Sequence, residues 1–202
     1  MTIQTRPSLL NRLKDLDDQR SWREFFDIYW RLIYRVALKA GLTNAEAQDV
    51  VQDTVIAVAK KMPGFEYIPG RDSFKGWLLQ ITRWKITDQF RKRLPVSEPS
   101  ARLGDSGSQT TGIDRIPDLS GSLDEVWDEE WRKAILKAAV QRVKRQVNPQ
   151  HYEIFKQHVL REQPVAQVAQ ALGVSEGQVY LVKHRITALL KTELKRLENQ
   201  PL

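Results

Sequence analysis

Apolar residues recur at three- and four-residue spacing over most of this chain, and strand-like alternation is nearly absent. That period predicts helices. The first clear stripe is Trp22, Phe25, Phe26, Tyr29, Ile33, Val36, Ala37 and Ala40. Ser21 with Glu24 three residues later predicts a capping box at its start, and Gly41 predicts its end. Thr43 with Glu46 opens a second helix whose inner side carries Ala47, Val50, Val51, Val55, Val58 and Met62. Pro63-Gly64 stops it. After a loop with two Pro-Gly pairs comes "DSFKGWLLQITRWKITDQFRKR", residues 72–93, which reads as a third helix.

The pattern then breaks. Residues 95–122 are rich in Ser, Gly, Pro, Thr and Asp and poor in large apolar residues, a linker composition that reaches roughly 90–100 Å when extended. Helical period resumes near Leu123, with Val126, Trp127, Trp131, Ile135, Ala138, Ala139, Arg142 and Val143 on one helix. Asn148-Pro149 caps the next, filled by Tyr152, Ile154, Phe155, Val159 and Leu160. Two more helices are expected at about 165–172 and 176–197. The reading is an all-α protein: an N-terminal segment at 1–20, a helical domain at 21–94, a flexible linker at 95–122 and a second helical domain at 123–202.

Within the last domain, "PVAQVAQALGVSEGQVYLVKHRITALLK" has the layout of a helix-turn-helix. Val165, Val168, Ala169 and Leu172 form the inner stripe of the short helix, and Gly173 supplies the turn. Ser175 caps the following helix, with Gln178 completing a capping box. Val179, Val182, Ile186, Leu189 and Leu190 face inward. Gln178, Tyr180, Leu181, Lys183, His184 and Arg185 are left outside, where a recognition helix sets its side chains on base edges and phosphates. A helical hairpin in an all-α core would use the same inner pattern without the outward one.

Charge sharpens this picture. The 202 residues carry a formal net charge of +7, which favours a polyanionic partner. Residues 72–93 concentrate it. On a helical wheel Phe74, Trp77, Leu78, Ile81 and Trp84 share one side, and Leu79, Ile86 and Phe90 another. Lys75, Arg83, Lys85, Arg91, Lys92 and Arg93 surround both. Rings interleaved with cations suit single-stranded nucleic acid, where bases stack and phosphates pair with cations. Phe74, Trp77, Leu78 and Ile81 read better as core.

These pieces, in this order, resemble a bacterial extracytoplasmic-function (ECF) sigma factor. The residues that carry the resemblance are "AEAQDVVQDTVIAVAKKM" at 45–62, residues 72–93, and the helix-turn-helix at 164–191. The resemblance covers both ends of the chain and omits mainly the linker. It implies a region 2 domain that binds core RNA polymerase and opens the downstream promoter element. It also implies a region 4 domain that binds the upstream element as duplex. By motif position it implies a polymerase-binding face at Asp49, Gln52 and Asp53, which lie at i, i+3 and i+4. It implies a downstream-strand site at Phe65, Arg71, Ser73, Lys75, Arg83, Trp84, Lys85, Arg91 and Lys92. Upstream duplex binding falls on Ser175, Gln178, Tyr180, Leu181, Lys183, His184 and Arg185. The chain departs from the family at Trp84, where many members have asparagine, and at Tyr180 and Leu181, where basic or small polar residues are usual. An anti-sigma regulator is a further partner the family allows.

Two other classes were weighed. A free-standing helix-turn-helix regulator would bind duplex alone, usually as a dimer on paired half-sites. It has no need of the Asp49/Gln52/Asp53 face or of the basic aromatic helix. An enzyme would need a catalytic motif. His151, His158 and His184 are scattered, and no His-Glu-x-x-His, phosphate-cradling glycine loop or nucleophile motif occurs. No catalysis and no cofactor are expected. With no cysteine there is no disulfide framework and no thiolate metal site. No signal-peptide core and no membrane-length apolar run is evident, so a soluble cytoplasmic protein is expected.

Overall fold

The computed structural model describes residues 9–66, 74–93 and 120–199, and they are all-α, with no strand among them. The helices are α1 (Leu9–Leu13), α2 (Gln19–Lys39), α3 (Asn44–Lys61), α4 (Phe74–Arg93), α5 (Ser120–Gln146), α6 (Pro149–Phe155), α7 (Val165–Leu172) and α8 (Glu176–Asn199). No described helix is long and apolar enough to cross a membrane. Two compact units divide between Arg132 and Lys133.

In the first unit α2 packs on α3 and α3 on α4, with α1 against α2. Phe25, Tyr29, Ile33, Val36, Val50, Val58, Met62, Phe74, Leu78 and Ile86 are fully or almost fully buried. Thr43 and Glu46 form the expected capping box. The expected box at Ser21 and Glu24 does not form. Asp18 caps α2 instead, accepting from the Ser21 backbone N–H at 3.0 Å and from its hydroxyl at 2.6 Å. Those bonds hold the Asp18 carboxyl below its ordinary range. A carboxylate at N-cap is a stronger acceptor than a hydroxyl, and Ser21 falls at N3, where it is buried. Glu24 pairs with Arg12 at 3.2 Å.

The wheel reading of α4 needs one correction. Phe74, Leu78, Ile81, Thr82, Ile86 and Gln89 are its buried residues. Their arc centres between the two stripes read from the sequence, with Thr82 and Gln89 filling the gap. The Thr82 hydroxyl satisfies itself on the Leu78 carbonyl at 2.8 Å. Trp84 lies roughly 120° from Leu78 on a regular helix, and it is 51% exposed. Phe26 likewise leaves the α2 stripe for the surface and stacks on Trp30 at 6.1 Å.

The division of contacts falls ten residues beyond the expected domain start at Leu123. α5 begins at Ser120, and its first part belongs to the first unit. Trp127 and Trp131 are buried there, and Trp131 stacks on Tyr29 at 5.3 Å and lies 6.3 Å from Phe74. The rest of the expected linker, residues 95–119, lies outside the described residues.

The second unit is built on Val143, Ile154, Phe155, Val168, Ala169, Val179, Val182 and Ile186. Asn148 caps α6, with Pro149 at its first position. A π turn at Lys156–Leu160 continues α6. Gly173 ends α7 at φ +63°, the left-handed conformation that favours glycine.

Two predictions follow from the first unit's packing. Phe74→Ala removes a fully buried ring at the centre of the cluster and is expected to cost about 3–5 kcal/mol in urea unfolding. The second concerns Glu46, which accepts from Thr43 and from Arg93, with the Arg93 Nε bond at 2.7 Å. Arg93 above all, then Thr43, holds the Glu46 carboxyl down to about 2. A depressed carboxyl stabilises the fold above its unfolded pKa and loses that contribution as pH falls through its folded one. The melting-temperature difference between wild type and Glu46→Gln should therefore be full at neutral pH and shrink between about pH 4.5 and pH 2.

Candidate nucleic-acid interface

Three surfaces carry the residues expected to act. On α3, Asp49 and Gln52 are exposed and Asp53 is half-buried, all on one side of the helix. Beside them lies a groove of about 650 Å³ lined by Phe26, Trp30, Tyr34, Gln48, Val51, Gln52, Val55 and Ile56. Its apolar wall was missed in the sequence because Phe26 was counted as core. The signal for it was present: Phe26, Trp30 and Tyr34 recur every four residues, a second stripe beside the buried one.

On α4 the cations are engaged. Lys75 pairs with Asp128 at 2.8 Å, and Arg83 pairs with Asp124. Lys85 and Arg91 both face Asp88, at 3.9 and 3.7 Å. Lys92 is exposed. Arg93, the last of the basic run, is clamped on Glu46 and joins the end of α4 to the start of α3. The Lys61 ammonium sits 4.8 Å from the centre of the exposed Trp84 ring. A pocket of about 360 Å³ opens there, lined by Ala57, Lys61, Ile81, Trp84, Lys85, Thr87, Asp88 and Arg91. Lys61 belongs to this surface and was absent from the sequence expectation, because its neighbour Trp84 is a tertiary contact from another helix.

Phe65 differs from expectation. It is only 9% exposed and packs 4.5 Å from Trp77 and edge-on to Phe74, so it supports the ring cluster from inside. Arg71 and Ser73 lie outside the described residues.

On α8, the Ser175 hydroxyl accepts from the Gln178 backbone N–H at 3.2 Å. Val179, Val182 and Ile186 are buried. Gln178, Lys183, His184 and Arg185 are exposed, as are Tyr180 at 56% and Leu181 at 67%. Tyr180 and Leu181 are large, mostly apolar side chains kept out of the core. Beside a polar and cationic row they give a surface able to meet thymine methyls and phosphates together. His158, on the π turn, packs edge-on to Tyr180 at 6.4 Å, and its Nδ1 lies 2.9 Å from the Gln163 carbonyl.

Comparison with known proteins finds similarity to sigma factors. The sigma-70 region 2 family model matches residues 25–94, which hold α2, α3 and α4. The chain is 27% identical over 173 residues to the ECF RNA polymerase sigma factor BldN of Streptomyces coelicolor, covering 85% of this chain and 58% of that protein. It therefore spans little more than half of BldN's length. It is 25% identical over 177 residues to the ECF RNA polymerase sigma factor SigL of Mycobacterium tuberculosis, covering 87% of this chain and 89% of SigL. Among solved structures, a chain of an RsbN–BldN complex is similar at 19% identity and a TM-score of 0.35, with 91% and 97% of the two chains covered. CnrH in complex with the cytosolic domain of CnrY is similar at 18% identity and a TM-score of 0.36, with 93% and 95% covered. Residues 25–94 thus match sigma-70 region 2, and over most of its length the chain is similar to extracytoplasmic-function sigma factors.

Proposed function

We propose that this protein is a promoter-specificity factor of RNA polymerase, acting in the cytoplasm and having no catalytic activity of its own. It binds core polymerase, recognises promoter DNA and opens it. The observation that carries the reading is the pairing of two surfaces in one chain. A region 2 match contains the acidic-polar face of α3 and the cationic, ring-bearing face of α4. A helix-turn-helix carries an exposed row on α8. A duplex-binding repressor has no use for the first surface.

The roles divide by chemistry. Asp49, Gln52 and Asp53 meet the polymerase, with the adjoining groove as the apolar part of that contact. Lys75, Arg83, Lys85, Arg91 and Lys92 follow the phosphates of a separated strand, and Trp84 offers a face for a base. Arg71 and Ser73 join them by motif position. On α8, Tyr180, Leu181 and His184 read base edges, Lys183 and Arg185 hold phosphates, and Ser175 and Gln178 set the helix start. An anti-sigma protein is a further candidate partner.

The deciding experiment is transcription by core polymerase on fragmented genomic DNA, with and without the protein. Starts that need the protein and share two upstream elements support the reading. If no such starts appear and the protein fails to co-purify with core polymerase, a free-standing regulator takes its place. Replacing Asp49, Gln52 and Asp53 by alanine together should abolish co-purification and leave thermal unfolding unchanged. The Lys85, Arg91 and Lys92 triple alanine variant should lower the slope of log K for single-stranded DNA against log salt by about 2.

A further inference from the structure

The first part of α5 is a run of anions and indoles. Asp124, Glu125, Asp128, Glu129 and Glu130 alternate with Trp127 and Trp131. Four of these five anions meet cations of α2 and α4. Asp128 meets Lys75 and Asp124 meets Arg83, the order of an antiparallel pair of helices. Glu130 is buried between Arg35 at 3.2 Å and Lys39 at 3.4 Å, and Glu129 also reaches Lys39 at 3.4 Å. The indoles anchor the helix, with Trp131 stacked on Tyr29 at an interplanar angle of 27° and Trp127 fully buried.

A single nucleic-acid strand presents the same spaced anions. Lys75 and Arg83 are among the cations that the proposed function gives to that strand. We infer that the Asp124 and Asp128 carboxylates are internal occupants of the single-strand surface, and that strand binding requires them to release Arg83 and Lys75 while Trp127, Glu130 and Trp131 stay buried. The inference rests on the strand-binding role proposed above for α4. The chemistry explains why such an occupant is replaceable. Asp124 and Asp128 remain half-exposed, so their pairs are individually weak and screened by salt. A strand engages several cations at once and releases counterions in doing so. The strand's apparent affinity is scaled down to the fraction of molecules in which these two pairs are open.

The test uses the full chain and a fluorescein-labelled 20-nucleotide mixed-sequence single-stranded DNA, read by anisotropy at fixed salt. Asp124→Asn with Asp128→Asn is compared with Asp17→Asn with Asp27→Asn. The second pair makes the same change in net charge at exposed positions of the first unit away from the pairs. The α5 variant should bind roughly 2- to 30-fold tighter than the control. Adding Lys75→Ala and Arg83→Ala should remove that gain. Equal binding by the α5 variant and the control, with Lys75→Ala and Arg83→Ala still weakening the wild type, overturns the internal occupant and leaves the strand role of α4 intact. No effect of Lys75→Ala and Arg83→Ala in either background removes the strand role of these two cations and the inference with it.

Discussion

Everything in the first unit turns on where one ring goes. Phe74 is fully buried at the first position of α4, among Phe25 and Tyr29 of α2, Phe65 of the preceding loop, Trp77 of its own helix and Trp131 of α5. A ring buried with so many edge-on and tilted neighbours helps fix the phase of its helix. Once the phase is set, Leu78, Ile81 and Ile86 are inside, and the cations and Trp84 are necessarily outside. The cationic face of α4 is thus a by-product of core packing around Phe74.

The cations on that surface serve different ends. Arg93 is spent on structure, since its pairing with Glu46 depresses the carboxyl and closes α4 onto the start of α3. Lys85 and Arg91 share Asp88 on their own helix at distances too long for strong bonds. Lys75 and Arg83 are held by a segment distant in sequence. Exposed pairs of the last two kinds contribute little to stability. They keep the cations oriented and leave them available to a partner with more charge.

The second unit solves a simpler problem. Gly173 in the left-handed conformation ends α7, Ser175 caps α8, and Val179, Val182 and Ile186 lock the pair together. The π turn before it, with His158 against Tyr180, sets the surroundings of one outward ring. Short-range rules dominate here, which is why the expected helices at 165–172 and 176–197 lie so near the observed Val165–Leu172 and Glu176–Asn199.

That contrast measures what the chain's sequence determined alone. Periodicity, caps and turn glycines gave the helices, and the inner rows of α3, α7 and α8 followed from them, because those signals act within a few residues. The outward row of α8 was legible for the same reason, whereas the Asp49/Gln52/Asp53 face came only from the family resemblance. Tertiary structure decided what depends on a second element. It moved the cap of α2 to Asp18 and turned Trp84 and Phe26 outward. It drew Phe65 into the ring cluster and brought Lys61 over Trp84. It also laid the acidic start of α5 on Lys75 and Arg83, pairings across 53 and 41 residues that no local pattern encodes. Periodicity tells which residues can share a face; only packing against a particular neighbour decides which face is buried and which charge is met.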